Sequence, residues 1–156
     1  MSRCTGCSSA GSQVPGGLCI RESRDIAGSE LIALRIACGG RHALAGDDVK
    51  AERSIEACPF VAHVRSGEGL LVGYLSALSD DVTAAFVASL AVHPAWRRCG
   101  IGATLMHRLE ARYPGLAIHV YATPHEGAFF ASLGYRGRAN LAALVRHVLP
   151  LRTLST

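Results

Sequence analysis

Apolar and polar positions along the chain follow two periods. Leu18-Cys19-Ile20-Arg21 alternates as a first strand, and Phe60 to Arg65 alternates again, with Phe60, Ala62 and Val64 set against Val61, His63 and Arg65. The turn cluster Ser66-Gly67-Glu68-Gly69 leads into Leu70 to Leu78, and Ser79-Asp80-Asp81 turns the chain into Thr83 to Val92. These runs predict an antiparallel meander. Thr83 to Val92 is its longest apolar stretch, interrupted only by Ser89, which predicts a central strand covered on both faces. Ala117 to Ala122 reads as another strand, and Leu141 to Leu149 is apolar enough to return antiparallel beside Ile118 to Tyr121.

Between these strands the period lengthens to that of a helix. Leu31, Ile32, Leu34, Ile36 and Ala37 mark one helix, capped by Asp25 or Ser29 and stopped by Gly39-Gly40. A second, about Asp47 to Ala57, opens on Asp47-Asp48 and sets Lys50, Glu52, Arg53 and Glu56 over Val49, Ile55 and Ala57. A third carries Ile101, Leu105 and Leu109 at helical spacing, with Met106 and Tyr113 adjoining, and ends at Pro114-Gly115. A short fourth begins after Pro124 with Thr123 as its cap, and Gly134 fits its C′ position at positive φ. Met1 to Gly17 is rich in Ser, Gly and small polar residues without periodicity. The reading is therefore a flexible leader over 1–17 and a single domain over 18–156.

The stretch from Leu90 to Met106 carries the first chemistry. A strand ends at Val92, a turn passes through His93 and Pro94, and Arg97-Arg98-Cys99-Gly100-Ile101-Gly102 opens a helix. A helix start directs unpaired backbone N–H groups and the positive end of its dipole outward, and glycines let a phosphate approach the main chain closely. Neither the Gly-Lys-Ser/Thr of a Walker loop nor the dinucleotide G-x-G-x-x-G is present.

With strand, turn, R-x-x-G-x-G and amphipathic helix in that order, the segment resembles motif A of the GNAT family of N-acetyltransferases. Phe129-Phe130-Ala131-Ser132-Leu133-Gly134-Tyr135 is similar to that family's F-Y-x-x-x-G-F/Y motif. The resemblance runs from roughly 18 to 149 and is densest from Leu70 to Tyr135. It implies the GNAT fold, an α/β (α+β) arrangement. Its mixed, mostly antiparallel central sheet has about six to seven strands, flanked by about four helices. A V-shaped splay opens between the strand ending at Val92 and the strand 117–122.

The resemblance also implies an activity: transfer of an acetyl group from acetyl-CoA (coenzyme A) to a primary amine of a small molecule or peptide, by direct attack in a ternary complex. Pantetheine would lie along Leu90, Ala91 and Val92, and the pyrophosphate over Arg97, Arg98, Cys99, Gly100, Ile101 and Gly102, with Ala103 and Thr104 continuing the first helical turn. Thr123, Phe129 and Phe130 complete the implied cosubstrate contacts, and the backbone N–H of Val92 takes the oxyanion donor's place. Three polar groups of the family are altered here. Phe130 stands where a tyrosine acid is usual, Thr123 where an asparagine is usual, and Ser89 where an acidic residue is frequent. Ser89, Tyr121 and His125 remain as catalytic candidates, with His63 beside them. Without a base, an amine of low pKa is the easier acceptor. The alternative is a non-catalytic acyl-CoA-binding sensor or partner module that keeps the phosphate loop alone.

Composition narrows the picture a little further. The chain has 156 residues and 49% hydrophobic content, enough for one substantial core. Net charge is +4, but the 16 Lys+Arg are scattered rather than clustered, which argues against a nucleic-acid partner. Six cysteines show no disulfide framework. Cys4-Thr5-Gly6-Cys7 lacks a second pair or a histidine pair to complete a metal site, so no metal is expected. No apolar run reaches membrane-spanning length, and the N-terminus lacks a signal-like apolar core, so the expectation is a cytoplasmic protein with no membrane partner. A homodimer through a sheet edge or the C-terminal strand is compatible with the family.

Overall fold

Antiparallel neighbours in sequence are neighbours in space. In a computed structural model describing residues 17–40, 47–142 and 144, five strands pair in chain order: β1 Cys19–Arg21, β2 Phe60–Arg65, β3 Leu71–Ser79, β4 Ala84–Val92 and β5 Ala117–His119. The first three junctions are antiparallel and the last is parallel. This is the mixed, mostly antiparallel sheet expected, with five strands among the described residues rather than six or seven. The expected strand Leu141–Leu149 lies almost wholly outside those residues, and β5 ends at His119, short of the predicted Ala122.

Tight turns fix the meander. Between β2 and β3 the Ser66 N–H donates to the Leu70 carbonyl, with Gly69 at φ 86°. Between β3 and β4 the Asp80 carboxylate accepts from the Thr83 hydroxyl and from the N–H groups of Val82, Thr83 and Ala84, which holds its carboxyl well below the usual carboxylate range. One register slip divides β4 into two halves. Ser76 faces Ser89 while Ala77 faces Val87, so Ala88 is an extra residue on β4.

Four helices form: α1 Gly28–Ala37, α2 Asp48–Ala57, α3 Ile101–Arg112 and α4 Gly127–Ser132. Helix α1 is not capped by Asp25 or Ser29. Its N-cap is Ala27, whose N–H donates to the Glu30 carboxylate at 2.9 Å, so the side chain three residues inside the helix does the capping. Arg65 grips that same carboxylate with two N–H groups, at 2.6 and 2.9 Å, and also donates to the Gly69 and Asp25 carbonyls. At the other end the Gly39 N–H donates to the Ile36 carbonyl and the Gly40 N–H to Arg35, a Schellman stop with Gly39 at φ 80°. Helix α2 opens at Asp47-Asp48 as expected, and the Asp47 carboxylate caps it by accepting from the Lys50 N–H.

The chain divides into two compact units, Met1–Val120 and Tyr121–Thr156. In the first, α1 and α2 cover one face of the sheet, where Leu31, Leu34, Ile55, Val61, Tyr74 and Ala91 share a core. Helix α3 covers the other face with Ile101, Leu105, Met106 and Leu109. Covered from both sides, β2 buries every residue from Phe60 to Val64, so the alternation of its sequence does not separate a wet face from a dry one. Strand β4 corrects the expectation in the opposite sense. Among the residues of β4 only Ala85 and Ala91 are buried, and Phe86 is 43% exposed with its ring stacked on His119 of β5. In the second unit α4 ends with Gly134 at φ 89° in a Schellman motif, Tyr135 N–H donating to Phe130 and Gly134 N–H to Ala131. Phe130 packs edge-on against Phe129 and Tyr135.

At Gly28 the N-terminus of α1 meets that of α2 so closely that an added Cβ would stand 2.2 Å from the Asp48 carbonyl oxygen. A backbone atom cannot step aside as a side-chain tip can. Gly28→Ala is expected to cost about 1–3 kcal/mol of folding free energy, as overpacking does, measured as a lowered urea midpoint at unchanged slope.

Candidate functional site

The loop between β4 and α3 is shaped by its own backbone. His93 N–H donates to the Val72 carbonyl at 2.9 Å, its Nδ1 accepts from the Ala95 N–H, and Pro94–Trp96 makes one 3-10 turn. Arg97 is extended, Arg98 sits at φ 62° and Gly100 at φ 78°, both left-handed. Such a φ at arginine is strained, a conformation that clusters at ligand sites. Gly100 is the N-cap of α3 and has no side chain to offer, so the first helical N–H groups, Ile101, Gly102 and Ala103, receive no side-chain cap. A Cβ at Gly100 would meet no atom within 4 Å, so the space above this helix start is open. Thr104 returns its hydroxyl to the Gly100 carbonyl at 2.9 Å, and the exposed Cys99 thiol lies 3.6 Å from the Arg97 carbonyl. Arg97 Nε donates to the Val92 carbonyl at 3.2 Å, which ties the basic loop to the end of β4.

The other half of the site is the free edge of β4. Val92 faces Gly73, yet it is His93 that donates to Val72, which makes Val92/Gly73 a non-hydrogen-bonded pair. Alternation along the ladder then gives Ala91/Tyr74 a bonded pair and Leu90/Leu75 a non-bonded one. The N–H groups of Leu90 and Val92 therefore point away from β3, toward the side on which β5 pairs only with Ala84, Ala85 and Phe86. Beyond Phe86 no strand among the described residues takes up that edge, and this is the splay expected from the sequence. Of the outward carbonyls, Val92 accepts from Arg97 and from the Cys38 thiol at 3.3 Å.

On the face of β4 toward α1, Ser89 pairs across the sheet with Ser76 and accepts from the Arg35 guanidinium at 3.2 Å. Arg35 is half-buried, and that burial lowers its pKa from the ordinary arginine value. Tyr74, fully buried beside it and hydrogen-bonded to Ser76, has its phenol pushed up by burial. Sequence reading missed Arg35. The available signal was its place on the stripe Leu31, Leu34, Arg35 and Cys38, where helical spacing calls for an inward residue.

The remaining candidates sort by environment. His63 is fully buried opposite Tyr74, its Nδ1 3.3 Å from the Ser23 carbonyl, and desolvation, helped by the nearby Arg65 charge, holds its imidazole below the ordinary 6.5. It is a core histidine. Tyr121, Thr123, His125, Phe129 and Phe130 belong to the second unit, where Tyr121 and His125 are exposed and Phe130 is buried. Thr123 does not cap α4 as expected. Its N–H and hydroxyl both donate to the Glu126 carboxylate at 2.8 Å, and Glu126 is itself the residue before the helix. Among the described residues no group of three His, Cys, Asp or Glu side chains is placed to hold a metal, and no helix is long and apolar enough to cross a membrane. Among the described residues Cys19, Cys38, Cys58 and Cys99 form no disulfide, while Cys4 and Cys7 lie outside the described residues.

A mixed sheet with helices on both faces and a basic loop leading from β4 into α3 is an arrangement of the acetyltransferase type. The family model for the acetyltransferase (GNAT) domain matches residues 56–137, and the chain belongs to that family, whose cosubstrate is acetyl-CoA. The mycothiol acetyltransferase of Salinispora arenicola (strain CNS-205) is 38% identical over 76 residues, covering 47% of this chain and 24% of that protein. The chain thus spans about a quarter of the length of that relative. An aminoglycoside acetyltransferase from an uncultured soil metagenomic sample, in complex with sisomicin, superposes at TM-score 0.64 with 18% identity over 88% of this chain and all of that one. AAC(6')-Iy, in complex with the bisubstrate analogue CoA-S-monomethyl-acetylneamine, superposes at 0.65 with 14% identity over 83% of this chain and 98% of that one. At such identities the two structures establish the shared fold alone.

The His63 environment fixes one pH dependence. The folded protein keeps this imidazole neutral where the unfolded chain takes up a proton, so stability is full above about 6.5 and falls as pH drops below it. Glu30, held below its ordinary 4.5 chiefly by Arg65, contributes in the same direction only at lower pH. Urea midpoints should therefore fall between pH 7.5 and 5.5, and His63→Gln should shrink that difference; a difference unchanged by the substitution would assign it elsewhere.

Proposed function

We propose that the chain transfers an acetyl group from acetyl-CoA directly to the primary amine of a small molecule or peptide. The observation that carries this reading is the continuity of outward N–H donors, from Leu90 and Val92 on the free edge of β4 to the uncapped start of α3. In this reading Leu90, Ala91 and Val92 pair with the pantetheine amides as a further strand would, and Arg97, Arg98 and residues 99–104 hold the pyrophosphate through backbone N–H groups and charge. The Val92 N–H donates to the carbonyl oxygen as it gains charge. A neutral amine forms the new C–N bond as the C–S bond breaks, and the proton the nitrogen loses ends on the departing thiol. Alignment of the two substrates supplies a large part of the acceleration, which suits a chain whose sequence carries Phe130, Thr123 and Ser89 where the family resemblance implies an acid, an asparagine and an acidic residue. A small-molecule acceptor is supported by the acceptors named for the related structures, and a cytoplasmic setting by the source of the cosubstrate. Residues 18–156 act as one domain in this reading, with 1–17 as a leader.

The same three replacements favour a second reading, in which the chain binds acyl-CoA without turning it over, as a sensor or partner module. Calorimetric titration with acetyl-CoA, followed by thiol release against aryl amines, polyamines, aminoglycosides and lysine peptides, separates the two. Binding with turnover supports transfer, binding without turnover against the whole panel supports the sensor, and no binding ends both. Arg97→Glu combined with Arg98→Glu should raise the acetyl-CoA Kd at least about tenfold, since two charge-assisted contacts of roughly 1.5–3 kcal/mol each are reversed. An unchanged Kd would remove the loop from the site.

A further inference from the structure

One peptide group on the edge of β4 is fixed from three directions. The His93 N–H donates to the Val72 carbonyl at 2.9 Å, and the carbonyl of the same peptide, that of Val92, accepts from Arg97 Nε at 3.2 Å and from the Cys38 thiol at 3.3 Å. Cys38 is the C-cap of α1 and packs against the core beneath that helix, while Arg97 belongs to the loop that leads into α3. The two donors thus come from the helix on one face of the sheet and from the approach to the helix on the other. A carbonyl oxygen has two lone pairs, and here it has two donors. The outward edge therefore carries unlike positions. Leu90 turns both an N–H and a carbonyl outward with no partner for either among the described residues, whereas Val92 turns out an N–H beside a carbonyl that is already filled.

We propose that Cys38 is a positioning residue which, together with Arg97, closes the Val92 carbonyl and so fixes the register of the cosubstrate along β4. The assignment rests on the acetyltransferase reading above. An acyl-pantetheine arm brings two kinds of group to a strand edge: amides, which both accept and donate, and a thioester, which only accepts. Its carbonyl oxygens can be served at either position. An amide N–H finds an acceptor at Leu90 and none at Val92, where it would stand unbonded beside two other donors, and a donor stripped of water without a partner is penalised. An extended chain on an open edge has no turn to set its alignment, and a shift by one position changes every group it presents. The filled carbonyl removes the shifted alignments. Cys38 acts through Val92, so its effect falls on how the cosubstrate lies and not on the bond that breaks.

Cys38→Ala frees one lone pair and should admit misaligned cosubstrate. Thiol release with acetyl-CoA varied against a saturating amine gives the constants. A second, unproductive alignment lowers kcat and KM for acetyl-CoA by one common factor, expected to be about threefold, the lower end of what one hydrogen bond carries, and leaves kcat/KM unchanged. Loosened packing would lower kcat/KM instead. Cys38→Ser keeps a donor and should restore both constants. Val92-His93 is the one Val-His pair in the chain, so isotope-labelled valine carbonyls and histidine nitrogens give a single NMR correlation that reports this carbonyl. In the wild type its carbon shift should stay in place when acetyl-CoA is added; in Cys38→Ala it should start upfield and move downfield on binding. A fall in kcat/KM, constants unmoved in Cys38→Ala, Cys38→Ser behaving as Cys38→Ala does, or a downfield move of the wild-type signal on binding each overturns the role of Cys38 and leaves the transferase reading standing. Failure of acetyl-CoA to bind the wild type, or of every amine tried to release thiol, overturns the transferase reading itself.

Discussion

The register of β3 against β4 is the constraint on which the rest of the molecule depends. With Val92 opposite Gly73 in a non-bonded pair, the ladder turns the Leu90 and Val92 N–H groups outward, and the extra residue at Ala88 separates this half of β4 from the half that pairs with β5. Unpaired strand edges are normally a liability, because they offer themselves to any passing chain. Here the edge is bounded by a turn, a 3-10 segment and a basic loop, which in the reading proposed above suits a narrow, extended and anionic partner better than another strand. The edge and the loop are also mechanically one piece, since Arg97 reaches back to the last carbonyl of β4.

Helix α1 belongs to the same frame. Its start is held by the Glu30–Arg65 pair, whose guanidinium also collects two loop carbonyls, and its end by the Schellman stop at Gly39. A pair with each partner partly exposed adds little stability by itself. Its weight lies in geometry, because it joins the β2–β3 turn, the chain before α1 and the first turn of α1 around one carboxylate. Arg35 and Cys38 can address β4 with short bonds because both ends of their helix are fixed.

Much of this was legible in the sequence, and the places where it was not have physical reasons. The loop and α3 could be read because glycines, a proline and a helical stripe leave few alternative conformations between Val92 and Tyr113. The stops at Gly39 and Gly134 could be read because a positive φ is expensive for other residues. Burial was harder. Alternation in β2 marked a strand without fixing its burial: a strand between two helical layers has no wet face, and His63 is carried into the core with Val61 and Val64. The apolar run of β4 suggested cover on both sides, whereas all its side chains but those of Ala85 and Ala91 are half-buried or exposed. Ala27 has no capping side chain, so the start of α1 could be placed only by a glutamate reaching back from inside the helix. Arg35 was hidden by being an ordinary helix residue. Its meaning comes from what lies across the sheet, 54 positions further along the chain.

Gly73 gives the arrangement its scale. A methyl group there would sit 2.6 Å from Ile101 Cγ2, so only a hydrogen atom separates this part of the sheet from the first residue of α3. Ile101 is also the first residue beyond the loop, which means that the thickness of one carbon atom sets how far the helix start stands from the strand edge beside it. The residue opposite Val92 thus works as a spacer gauge. It sets the span between the outward edge at Val92 and the start of α3, and in the acyltransfer reading proposed above it thereby sets the length of cosubstrate that can lie across them.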